Sequence, residues 1–195
     1  NKLDFIAIGD TVVDAFIRLQ DAHLTCNIDN TKCELCMAFG SKVPYESVTV
    51  IPAVGNSANA AVSSARLGLQ TALVTYLGDD VNGRQCLFEL EKEKIITSFI
   101  HPEHGKITNY HYVLWFQDER TILIKHESFK CHLPNIGTPS WIYLSSLGEN
   151  TLELHNEISA YLKNNPSIKL AFQPGTFQMK LGAEALKDIY TQTEY

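Results

Sequence analysis

Short runs that are apolar on both faces alternate along the chain with longer stretches at helical spacing. Residues 3–8, 71–78, 141–145 and 168–172 read as strands buried on both sides, the pattern of a parallel sheet, with Asp4 the polar exception in the first. Between them, residues 55–68 form an alanine-rich helix closed by Gly68. Asp79, Asp80, Asn82 and Gly83 make a turn and cap a helix that carries Leu87, Leu90 and Ile95 inward and Glu91-Lys92-Glu93-Lys94 outward. Residues 151–164 form a helix with an inner stripe of Leu152, His155, Ile158, Ala160 and Leu162, ended by Asn164-Asn165-Pro166, and a last helix spans residues 181–191. Strand and helix in this succession predict an α/β fold, a parallel sheet covered by helices.

Two stretches break that rhythm. Residues 107–116 and 121–126 predict an antiparallel pair turning at Gln117-Asp118-Glu119-Arg120, with Tyr110, Tyr112, Leu114 and Phe116 on one side and Val113 and Trp115 on the other. Asn109 and His111 lie opposite Tyr110, open to ligand or solvent, and Asn109 joins the candidate substrate contacts. Between Phe16 and Val50 the period fades into a long connection with a Gly40-Ser41-Lys42 turn and Pro44, returning as a strand near Val48 and Val50.

The chain is organised around Val54-Gly55-Asn56-Ser57-Ala58-Asn59-Ala60-Ala61. Gly55 permits a tight turn, Asn56 or Ser57 can cap the helix, and the alanines allow close approach. The helix start offers free N–H groups, and Asn56 and Asn59, three apart, offer amides on one side. That chemistry suits a polyhydroxylated ligand, although an Ala-rich packing helix would look the same.

With 195 residues, 45% of them hydrophobic and 19% charged, the chain can bury a core. A net charge of −6 argues against a nucleic-acid partner. No apolar run approaches the ~20 residues that a membrane helix needs, and no charged-then-apolar leader precedes Leu3, so the expected location is cytoplasmic, without membrane contact. Five cysteines, an odd number, fit a reducing compartment. His23, Cys26, Cys33 and Cys36 supply four ligands for a structural Zn2+ in one loop, or else the cysteines are reduced loop thiols.

Five motifs stand in order: residues 3–10 followed by Asp14, the Val54–Ala61 stretch, Gly78-Asp79-Asp80-Val81-Asn82-Gly83, Asp118-Glu119-Arg120-Thr121-Ile122-Leu123, and Phe172-Gln173-Pro174-Gly175-Thr176. In this order and spacing they resemble the amino-terminal part of the ribokinase-like, PfkB-type family of sugar and nucleoside kinases. The resemblance covers nearly the whole chain. It implies a ribokinase-like parallel sheet flanked by helices with a small β-sheet lid, built from excursions at approximately 11–51 and 107–126, and truncated at the carboxyl end.

It also implies ATP-dependent phosphoryl transfer to a hydroxyl of a sugar or nucleoside, with ATP and Mg2+ as cofactors and a homodimer formed through the lid. Asp14 is the matching hydroxyl anchor, with Gly55, Asn56 and Asn59 as further substrate contacts. The family's Gly-Ala-Gly-Asp anion hole and base are expected after Tyr195, so no catalytic residue is assigned within this segment and residues 1–195 alone are expected not to turn over. Asn1 in place of an initiator Met, and an abrupt stop at Thr193-Glu194-Tyr195, fit an excerpt from a longer protein. A noncatalytic sugar-binding or regulatory module is the alternative. The sequence departs from the family at Val54, where Gly-Gly is common, and at Gln173, where asparagine is frequent.

Overall fold

A computed structural model describes residues 2–29 and 31–195. Its strands are β1 (Phe5–Ile8), β2 (Val12–Leu19), β3 (His23–Cys26), β4 (Cys33–Cys36), β5 (Tyr45–Val54), β6 (Thr71–Val74), β7 (Tyr110–Phe116), β8 (Glu119–Leu123), β9 (Trp141–Leu144) and β10 (Lys169–Phe172). The helices are α1 (Asn56–Arg66), α2 (Val81–Lys92), α3 (Leu152–Asn164), α4 (Thr176–Ala185) and α5 (Lys187–Gln192). The chain divides into two units: one contains residues through Val13, Pro52–Asn109 and His126–Tyr195, the other Asp14–Ile51 and Tyr110–Lys125.

The first unit is built on a parallel sheet of order β10-β9-β1-β6, in which Phe5 stands opposite both Thr71 and Trp141. Both faces are covered, which is why Ile6, Ala7 and Ile8 are buried in succession. Ile6, Ile8, Ala72, Val74, Ile142, Leu144 and Leu170 face a core shared with Leu154, Ile158 and Leu162 of α3. Ala7 and Leu73 alternate to the other face, where α1 packs on β1 and β6 with Ala58 and Ala61 buried.

The helix ends differ in part from expectation. Gly55, not Asn56 or Ser57, occupies the cap position of α1, with φ of 119° and no side-chain cap. Ser57 is turned inward, donating its hydroxyl to the Asp10 carbonyl at 3.0 Å. Gly68 closes the helix as the pattern required, at φ 92°, donating to the Ala65 carbonyl. In α3 the buried stripe is Leu154, His155, Ile158, Ser159 and Leu162. Ala160 is exposed because two residues turn a helix by about 200°, setting it opposite Ile158. The last helix is two, since Gly182 adopts φ 84° inside α4 and a new turn begins at Lys187. Beyond it Thr193 bridges Leu170 in parallel, and Phe172 donates to the Tyr195 carbonyl at 2.8 Å, so the final residues run along the outer edge of β10.

The second unit contains a sheet of order β5-β2-β7-β8 and the β3–β4 hairpin. Register pairs Phe116 with Glu119, shrinking the expected four-residue turn to Gln117-Asp118, with Gln117 at φ 54°. Two-residue hairpins favour positive φ because it matches strand twist. Residues 14–51 are largely strand, not an aperiodic connection; β3 is fully exposed and β5 exposed from Tyr45 to Ile51, so no burial alternation marks them. Arg18 on β2 pairs with Glu46 on β5 at 2.9 Å and lies 4.6 Å from the Trp115 ring centroid on β7.

The cysteine cluster is corrected. Cys26 and Cys33 stand opposite each other in the hairpin and form a disulfide, so they are neither reduced thiols nor zinc ligands. His23 pairs with Cys36, and strand alternation sends that pair to the opposite face of the hairpin from Cys26 and Cys33. The four side chains therefore cannot surround one ion. No cluster of three or more His, Cys, Asp or Glu among the described residues could hold a metal. No helix among them is long and apolar enough to cross a membrane.

Candidate functional site

The carboxyl ends of parallel strands are where open α/β sheets bind ligands. In the first unit these ends are drawn together by glycines. A Cβ on Gly9, just past β1, would fall 2.4 Å from Ser145 Oγ and 3.0 Å from Ser57 Cβ, so β1, β9 and the start of α1 can meet only over a bare backbone. A Cβ on Gly55 would lie 2.7 Å from the Asp10 carbonyl oxygen, at a φ that side chains avoid. This pins the amino terminus of α1 against the chain leaving β1. Asn56 and Asn59 are exposed at that end while Ser57 and Ala58 are buried. With no acidic residue in its first turn and no side-chain cap, the helix end keeps its positive dipole unneutralised.

Beside it the structure places a pair that the sequence did not single out. Asp10 brings Oδ2 within 3.2 Å of His126 Nδ1, both side chains largely buried. The imidazole meets the Phe177 ring edge-on, with centroids 5.3 Å apart. No local spacing connects residues so far apart in sequence; only the fold does. Asn109 is buried rather than open to solvent, its side-chain oxygen accepting from the Glu127 N–H at 2.7 Å and its carbonyl from the Val13 N–H at 2.9 Å. Its amide oxygen thus holds the segment next to His126.

In the second unit Asp14 sits on β2, half-buried, its Oδ1 3.4 Å from Nδ1 of His111 on β7. Each unit thus carries a largely buried Asp–His pair, and the first has a further, exposed one in Asp79 and His104 at 3.5 Å.

Two other polar groupings are structural. Asp80 accepts from the Gly83 N–H at 2.8 Å, the Thr108 hydroxyl at 2.7 Å and the Thr108 N–H at 3.1 Å. Burial raises its pKa, but these donors outweigh it and hold the carboxyl below the ordinary value, as a capping role requires. His155 is buried, with Nδ1 donating to the Thr151 carbonyl at 2.6 Å and Nε2 3.4 Å from Gln178 Nε2. Gln178 in turn donates to the Ser145 carbonyl at 2.8 Å. Burial pushes the His155 pKa down, against the bond to Thr151, and keeps the ring neutral in the core.

A helix-flanked parallel sheet whose chain leaves after β1 and again after α2 to build a separate β unit is the architecture of ribokinase-fold kinases. The chain belongs to the PfkB family of carbohydrate kinases, whose family model matches residues 23–164. A nucleoside kinase of Methanocaldococcus jannaschii, an archaeal member of the ribokinase family, superposes with a TM-score of 0.73 at 16% identity, over 99% of this chain and 60% of that one. Arabidopsis thaliana ribokinase, solved with ribose and ATP, gives 0.67 at 13% identity, over 88% and 53%. Cryptococcus neoformans ribokinase, solved with ADP, gives 0.63 at 19% identity, over 89% and 50%. The chain thus spans between half and three-fifths of the length of these structures. No curated protein matches the sequence.

Proposed function

We propose that the protein to which this chain belongs transfers the γ-phosphoryl group of ATP to a hydroxyl of a sugar or nucleoside, and that residues 1–195 supply acceptor contacts. The observation that carries the reading is the bare start of α1, held by Gly55 against the Asp10 carbonyl at the carboxyl end of a parallel sheet. Asn56 and Asn59 there offer amide donors and acceptors to sugar hydroxyls, and Asp14 accepts from one or two of them as a carboxylate. Asn109 acts at one remove, by positioning the segment that bears His126. Phosphoryl transfer is mostly positioning and charge neutralisation, and the groups named here do the positioning.

ATP and Mg2+ enter this reading through the family alone, and no contact to either and no base for the hydroxyl proton is assigned within residues 1–195. Pairing between copies through the second unit fits its exposed Val48, Val50, Ile122 and Leu123.

The test is an ATP-consumption screen of the full-length protein over sugars and nucleosides, followed by calorimetric titration of the active acceptor into residues 1–195. Asp14→Asn should weaken acceptor binding about 10- to 100-fold, the loss of about 1.5–3 kcal/mol in hydrogen bonds to a charged group. Turnover by the full-length protein with unaltered acceptor affinity in Asp14→Asn and Asn56→Ala would overturn the residue assignment. Binding without turnover would leave a sugar-binding module instead.

A further inference from the structure

A cavity of about 580 Å3 opens in the first unit beside the carboxyl end of β6. Its wall includes the rings of Tyr76, Phe99 and Phe129, and Leu133. Tyr76, Phe99 and Leu133 pack against the core that the sheet shares with α3. The cavity therefore lies on the sheet face opposite α1, apart from Gly55, Asn56 and Asn59.

The segments that form it are tied together. The Tyr76 hydroxyl donates to the His132 carbonyl at 3.0 Å, Glu103 accepts from the Lys130 N–H at 2.9 Å, and the Glu103 N–H reaches the Leu77 carbonyl at 2.9 Å. These bonds fix the shape of the opening, and its volume falls within the ~300–1,000 Å3 common for small-molecule sites.

The polar groups of the lining are unequally engaged. His104 stands 3.5 Å from Asp79 and His132 3.1 Å from Glu157, while a Glu103 oxygen is taken by the Lys130 N–H. The Lys130 ammonium and the His101 ring make no hydrogen bond or ion pair among the described residues, although both line the opening.

We propose that this cavity is a second ligand site, for a small aromatic anion whose ring stacks among Tyr76, Phe99 and Phe129 and whose carboxylate or phosphate meets Lys130 and His101. Aromatic walls favour a planar ring, and the uncommitted Lys130 ammonium, with the His101 ring also in the lining as a hydrogen-bonding group, favours a negative substituent over a neutral one. The site does not rest on the assignment of the acceptor contacts.

The test is calorimetric titration of the full-length protein with 1-naphthoate and with its neutral counterpart 1-naphthalenemethanol, with and without saturating acceptor. The expected result is saturable one-to-one binding of naphthoate with Kd below about 1 mM, at least tenfold weaker for the alcohol and for Lys130→Glu, and unchanged by acceptor. Lys130 is exposed, so that substitution spares the fold. Phe129→Ala, checked for unaltered melting, should weaken both compounds. No saturable binding, equal affinity in Lys130→Glu, or displacement by the acceptor would each overturn the proposal.

Discussion

Replacing Gly55 by alanine isolates the contact that fixes the start of α1. Two costs add: φ of 119° lies where side chains are disfavoured, about 1–3 kcal/mol, and the new Cβ would sit 2.7 Å from a backbone oxygen that cannot rotate away, about 1–3 kcal/mol more. The middle of the sum, about 4 kcal/mol, lowers Tm by about 8–16 °C for a chain of this size. Gly68→Ala is the control. Its φ is also positive, at 92°, but no atom lies within 4 Å of the added Cβ, so only the backbone cost of about 1–2 kcal/mol applies. The protein has two tryptophans, Trp115 in the second unit and Trp141 on β9 in the first. Thermal unfolding followed by Trp141 fluorescence in a Trp115→Phe background therefore reports the unit that contains Gly55. If Gly55→Ala melts no lower than Gly68→Ala, the close approach to Asp10 does not constrain the helix start and the reasoning fails.

Because the folded protein keeps His155 neutral, the unfolded chain binds a proton below pH ~6.5 that the native state refuses. Its contribution is thus full above that pH and declines as pH falls; comparing denaturation midpoints at about pH 7.5 and 5.5, His155→Gln should gain on the wild type at the lower value. Asp80→Asn removes the charge from three hydrogen bonds that tie α2 to Thr108 and should cost about 1–3 kcal/mol by chemical denaturation. That deficit should vanish as pH falls through the depressed carboxyl pKa, where wild-type Asp80 is itself neutral. Reducing the Cys26–Cys33 bridge frees a loop of sequence separation 7, worth about 2–3 kcal/mol in chain entropy. Hydrogen exchange should rise in β3 and β4 while Trp141-detected melting stays constant, and unchanged exchange would show that the hairpin stands without its bridge.

The parallel sheet was legible because burial on both faces leaves continuous apolar runs, so β1, β6, β9 and β10 fall within the expected segments. The cap on α2 was legible because Asp80 and Gly83 interact three residues apart. What depended on partners distant in sequence was not. Ser57 reads as a cap until the Asp10 carbonyl is seen beside it, and nothing near Asp10 in the sequence points to His126. The hairpin of β3 and β4 was hidden for another reason: its residues are mostly exposed, so hydrophobic alternation carries no register. With strands unrecognised, His23, Cys26, Cys33 and Cys36 looked like four ligands on a flexible loop. Once they stand on two paired strands, the pleat alone separates them.

The parallel pairing also sets a timetable for synthesis. β1 is made first, yet its neighbours are β6 and β9, and Phe5 must wait for Trp141. At about 5–20 residues per second, the ~136 residues between them take roughly 7–27 s to appear. For that interval Ile6, Ala7 and Ile8, fully buried in the finished sheet, have nothing to pair with on one side. The nascent chain therefore emerges with a fully apolar strand uncovered on one side, a natural point for a chaperone to hold it.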